Sequence, residues 1–269
     1  MYENEQMAPM EPITSEGGSV TFIQQLHKHG SSPLFLTGII LFTVGSVMST
    51  ILSANLFAIF PLAFLALPVV ALFLIYAASK SPKLPEKTLP ALTLVKVHAI
   101  IGLVLVCIIA AIFVIVALIL TVTAAIEPWV AGAMVITVII MLFVLAILTV
   151  YFIFYFVSLF RILKDMREGI LHNNITNVRG VTAFTVVNII SIALGVLGSL
   201  IGLLMLGATN VIMDELYWAL GPDFHFVETM LEGIMASMAV SMMFSLATMA
   251  GIVLLLISLN KFNSSLAHR

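Results

Sequence analysis

The chain has 269 residues, 62% of them apolar and only 9% charged, with a mean hydropathy of +1.21, which excludes a soluble globular protein and points to an integral membrane protein. With 11 basic against 13 acidic residues the net charge is −2, too balanced to form a polybasic field for nucleic acid. The single cysteine, Cys107, excludes an internal disulfide or a thiol cluster around a metal.

Residues 1–18 carry Glu3, Glu5, Glu11 and Glu16 and too few apolar residues to repay ordering, so a disordered acidic tail is expected. It holds no apolar core of the length a secretory signal needs, and no cleavage is expected. From 19 to 32 the pattern changes: Phe22, Ile23 and Leu26 share one helical face, Ser19 or Thr21 can cap it, and Gly30 can stop it. This predicts an amphipathic helix lying on the membrane surface.

A hydrocarbon core about 30 Å thick takes about 20 helical residues. Six apolar runs reach or approach that length, at 34–52, 56–78, 97–122, 130–156, 181–206 and 234–259. The expected fold class is all-α, an integral membrane bundle of six transmembrane helices over 33–260, followed by a short tail at 261–269. Pro61 falls in the first turn of the second span, whereas Pro68 falls mid-span and predicts a kink. The fourth helix is expected to extend beyond the membrane along "RILKDMRE" before Gly169 and the following asparagines break it.

Orientation follows from the basic residues, which are retained on the cytoplasmic side. In the six-span reading Lys28, the group from Lys80 to Lys96, the group from Arg161 to Arg179, and Lys261 and Arg269 all fall on one side. Both termini are therefore expected in the cytoplasm, and the membrane is read as a bacterial plasma membrane. Trp129 and Trp218 then anchor the outer interface, and "YFIFYFVSLF" forms an aromatic belt at the inner one. Lys96 opens a span long enough without it, so it is expected to snorkel to the inner interface, while His98 turns toward the bundle.

No Asp, Glu, Lys or Arg falls inside a span, which disfavours transport through a proton relay. The clearest intramembrane pattern is Asn188, Ser191, Gly195, Gly198 and Gly202, which line one face of the fifth span. Small residues let backbones approach and Asn188 can hydrogen-bond a neighbour, so this face reads as a packing seam, within the monomer or between copies in a homo-oligomer. Gly38, Gly45, Ser49 and Ser53 in the first span, and Ser237, Ser241, Ser245 and Thr248 in the sixth, are its natural counterparts. Met235, Met238 and Met242 raise a soft-metal reading that is set against methionine's use as an adaptable core filler. No cofactor is expected, and no phosphate loop, nucleophile elbow or zinc helix marks an enzyme.

The acidic tail, the short amphipathic helix, "GSSPLFLTGIILFTVGS" and the "LTLVKV" that opens the third span together resemble uncharacterised multi-pass membrane proteins of Gram-positive bacteria. The resemblance runs from about Val20 onward and implies no particular activity. Some of those relatives have an N-terminal zinc ribbon; here there is no Cys-x-x-Cys.

The stretch "GATNVIMDELYWALGPDFHFVETMLEGIM" holds five carboxylates and no basic residue. Ile212, Leu216 and Leu220 predict a short interfacial helix stopped at Gly221-Pro222, and a second helix from Asp223 runs into the sixth span, so that 208–233 forms an external cap. On it His225, Glu228 and Glu232 share one face. That face either solvates the cap or gathers a divalent cation. The functional expectation is action through membrane or protein interaction, with a small-solute carrier or channel lacking a proton relay as the alternative. A polar cavity near Pro68 and Gly195 would favour the alternative.

Overall fold

The structure, a computed structural model, describes residues 21–52, 59–81, 84–126, 131–173, 175–220 and 225–267; the side chains of 59–61, 131, 205–220, 225–235 and 238 lie outside what it describes. The described residues form helices and no strand. In chain order they are α1 (Phe22–Gly30), α2 (Pro33–Leu52), α3 (Ile59–Ser79), α4 (Leu84–Ile126), α5 (Ala131–His172), α6 (Val181–Leu220) and α7 (His225–Ala267). The six helices from α2 to α7 are long and apolar enough to cross a membrane, the build of a multi-pass membrane protein.

Large apolar side chains point outward along these helices. Leu118, Phe143 and Leu194 are 61%, 67% and 61% exposed, a surface that suits lipid and not water. Amphipathic patterning is correspondingly absent from α2 to α7, because both faces of a span meet apolar surroundings.

Four helices exceed the predicted spans. The 43 residues of α4, 42 of α5, 40 of α6 and 43 of α7 each correspond to about 60 Å at the helical rise, twice the hydrocarbon thickness. Thus α4 begins at Leu84, well before residue 97, and continues through Pro90. α5 passes Gly169 without a break and ends where Asn173 adopts φ 52°, its N–H donating to the Gly169 carbonyl at 2.9 Å. Asparagine tolerates this left-handed end position, and a glycine inside a helix costs only about 1 kcal/mol. α6 likewise does not stop near 206 but runs to Leu220. Residues 208–220, expected as a separate interfacial helix, are its continuation.

The core gathers at one end of the bundle. Phe22, Leu92, Leu163, Val178 and Phe262 are among its buried members, drawn from α1, α4, α5, the α5–α6 turn and α7. The described lysines and arginines lie on the segments that meet here, which is called the basic end below. α1 starts with a capping box: Thr21 Oγ1 accepts from the Gln24 N–H and Gln24 Oε1 accepts from the Thr21 N–H. Its apolar face, expected against lipid, is spent on protein. Phe22 is fully buried, edge-on to Phe262 with ring centroids 5.3 Å apart, and Leu26 is buried beside it. Gly169 makes room for this contact, because a Cβ there would lie 2.6 Å from the Phe22 ring.

The first and sixth spans pack on each other. A Cβ on Gly45 would lie 2.5 Å from the Thr248 backbone nitrogen, and one on Gly251 would collide with the Phe42 backbone. Ser46 meets Thr248 at 3.5 Å and Ser49 meets Ser241 at 3.3 Å across the same crossing. Close approach of two backbones through small residues is how spans associate without a hydrophobic driving force.

Candidate functional site

Beneath α1 the bundle forms a half-open chamber of about 330 Å³. Leu26 and His29 of α1 form its roof, Leu72 of α3, Leu92 of α4 and Leu159 of α5 stand in its wall, and α7 contributes Leu256. Its polar contributors are few, among them Tyr155, Asn188 and Ser258. Asn188 donates from Nδ2 to the Phe184 carbonyl of its own helix at 2.7 Å. A mostly apolar concavity with a few polar groups, near the lower end of the roughly 300–1,000 Å³ typical of ligand sites, suits an apolar or weakly amphipathic occupant.

His29 sits at the edge of this roof against Phe262, with ring centroids 6.0 Å apart. Its Nε2 is buried without a partner among the described residues. Burial, seconded by the positive charges of Lys28 and Lys261, pushes its pKa below the ordinary histidine value, so the docked helix favours neutral imidazole.

The fifth-span seam is divided between neighbours. Ser191 meets the Tyr151 hydroxyl of α5. The spaces left by Gly195 and Gly202 are filled by the thioether ends of Met249 and Met242 of α7, while the Cβ position of Gly198 has nothing within 4 Å. Met242 is thus a packing knob seated on a glycine, in keeping with the pliability of its side chain. The first- and sixth-span stripes, expected as counterparts of this seam, pair mainly with each other.

Lys96 is exposed and lines a cleft between α4 and α5 together with Lys164 and Arg167. His98 stacks on Phe64 of α3, ring centroids 4.0 Å apart. Trp129 lies outside the described residues, as do the side chains of Trp218, His225, Glu228 and Glu232, of which the last three fall on the first turns of α7. Among the described residues no three His, Cys, Asp or Glu side chains come together.

One polar feature escaped the sequence reading. Asp165, 1% exposed, accepts from the Arg179 backbone N–H at 2.7 Å, from Nε at 3.0 Å and from Nη2 at 2.8 Å. These bonds hold its carboxyl below the usual carboxylate range and tie the α5–α6 turn to α5. Asn263 of α7 fastens the same turn by accepting from the Val178 N–H at 2.7 Å. Asp165 and Glu168 in "RILKDMRE" both read as solvated charges, and nothing within one helical turn sets Asp165 apart, because its partner Arg179 lies 14 residues on.

Comparison with protein-family models, curated proteins and solved structures finds no match to this chain. The functional reading therefore rests on the geometry.

Proposed function

We propose that the chain is a multi-pass protein of a bacterial plasma membrane, with its basic end and both termini in the cytoplasm, and that it acts by binding a membrane component. The observation that supports this reading most is the chamber beneath α1, apolar on nearly all sides, in a bundle whose expected spans contain no Asp, Glu, Lys or Arg. A carrier would call for a polar cavity near Pro68 and Gly195, and neither residue lines the chamber. The resemblance to Gram-positive multi-pass proteins and the one-sided distribution of basic residues support the membrane and the orientation.

The test of binding is native mass spectrometry of the full chain released from mild detergent. An apolar membrane component should accompany the wild type and be displaced when Leu72→Trp fills the chamber. Retention of the same complement by both forms, or of a polar solute alone, would overturn the reading. Reporter fusions after Lys87, Asn173 and Arg269 should report the cytoplasm, and those after Pro128 and Gly221 the opposite side. Either terminus found outside would reject the orientation.

A further inference from the structure

The chamber is not the only concavity at the basic end. Between α4 and α5 lies a second half-open recess, a cleft of about 740 Å³. Leu92 and Leu163 stand between the two and contribute to both linings. The cleft differs in chemistry. Lys96 enters it from α4 and Lys164 and Arg167 from α5, alongside apolar lining residues that include Leu89 and Phe160.

Its depth is set by the sequences of the two helices. On α4, Lys96 is the last charged residue before the apolar run, in which His98 is the one basic group, and on α5 the matching run ends at Phe160, with Arg161 the next residue. Lys96 and Phe160 therefore mark the membrane end of the cleft, and its other lining residues lie on the basic side of that level, where a bilayer passes from acyl chain to head group. The opposing carboxylate is Glu168, which approaches Lys164 at 3.8 Å. That pair is well exposed on both sides and contributes little. Lys96 and Arg167 have no carboxylate partner among the described residues. Three cations and one carboxylate therefore converge beside apolar side chains at the membrane boundary.

We infer that the α4–α5 cleft is a binding site for an anionic glycerophospholipid, its phosphate held by Lys96, Lys164 and Arg167 and the first segment of an acyl chain leaving past Phe160 toward the membrane. Basic recesses between spans on the positive side of a membrane protein recognise anionic head groups in this way. Arg167 supplies a planar donor fork matched to phosphate oxygens, and the two lysines supply mobile point charges. The site rests on residues other than those that roof and furnish the chamber, so it stands or falls separately from the proposed function.

The test uses the full chain in a neutral detergent, titrated with phosphatidylglycerol, phosphatidylcholine or inorganic phosphate, with thermal unfolding and native mass spectrometry as readouts. Phosphatidylglycerol should raise the unfolding temperature and appear as a bound adduct, while phosphatidylcholine and inorganic phosphate should do neither. A cation near the bilayer surface is worth about five-fold in affinity for an anionic lipid, so the triple variant Lys96→Gln, Lys164→Gln, Arg167→Gln should bind about a hundred-fold more weakly. Glu168→Gln, which removes the opposing charge, should bind several-fold more tightly. A control triple of the same charge change away from the cleft, Lys28→Gln, Lys80→Gln, Lys261→Gln, should bind like the wild type. Equal binding of phosphatidylcholine, an equal response to inorganic phosphate, or equal weakening in the two triples would overturn the assignment. Because the wild-type comparison among the three additives needs no variant, a misfolded triple would not shield the inference.

Discussion

Phe22→Ala tests whether α1 is held by protein or merely rests at a membrane surface. Phe22 is fully buried, edge-on to Phe262 and seated over Gly169, and Leu26 is the other large apolar side chain buried on that face. Truncating a buried phenylalanine costs about 3–5 kcal/mol, including the aromatic pair, which shifts the docking equilibrium of α1 by at least about a hundred-fold. Hydrogen exchange of the α1 amides, followed by mass spectrometry, should show that loss of protection while the amides of α4 and α5 keep theirs. Gly169→Ala attacks the same contact from the other side. Its Cβ, 2.6 Å from the Phe22 ring, overpacks a site with no free volume, at a cost of about 1–3 kcal/mol. In the Phe22→Ala background the clash is gone while the helix-propensity gain of alanine is common to both backgrounds and cancels, so the two changes should couple by the clash itself, roughly 1–3 kcal/mol. If α1 exchanges equally fast in the wild type and Phe22→Ala, or if Gly169→Ala acts alike in both backgrounds, the helix is held by lipid and the docking argument fails.

The glycines make a second contrast: Gly251→Leu, facing the Phe42 backbone, should prevent stable folding in detergent, while Gly198→Leu, whose Cβ meets nothing within 4 Å, should leave monomer unfolding unchanged. Any effect of Gly198→Leu confined to the oligomeric state, read by cross-linking, would mark the open part of the seam as a contact between copies. Asp165→Asn should lower stability by about 2 kcal/mol, since it removes charge-assisted bonds to a partner that stays solvated. The carboxyl's folded pKa is depressed, so its contribution is complete above the unfolded value of 3.8 and fades as pH falls through the lower folded value; urea unfolding between pH 5 and 2 should show the asparagine variant losing less over that range. His29 is also depressed, from 6.5, so α1 docking should be strongest above pH 6.5 and weaken as pH falls below it, with Lys28 and Lys261 adding to the penalty on imidazolium. Amide exchange in α1, corrected for intrinsic rates, should lose this dependence in His29→Gln.

The six spans were legible in the sequence because a membrane imposes a local rule: every backbone group must be satisfied within its own helix, so an apolar run of sufficient length declares itself without reference to its neighbours. The Thr21 cap and the asparagine stop after α5 were readable for the same reason, as each depends on residues within one turn. The helix ends were less so. Gly169 and the stretch after 206 looked like breaks because glycine and polar residues weaken a helix locally, yet the surrounding helix formers outweigh them. What α1 faces could not be read at all, since lipid and a protein interior are both apolar and the pattern of Phe22 and Leu26 is the same for either. The pairing of α2 with α7, the methionines seated on Gly195 and Gly202, the Asp165 clamp, the chamber and the cleft each join residues far apart in the chain. Hydropathy fixes which segments enter the membrane; which small residue receives which side chain depends on the separation and rotation of neighbouring helices, and the tertiary structure alone sets those.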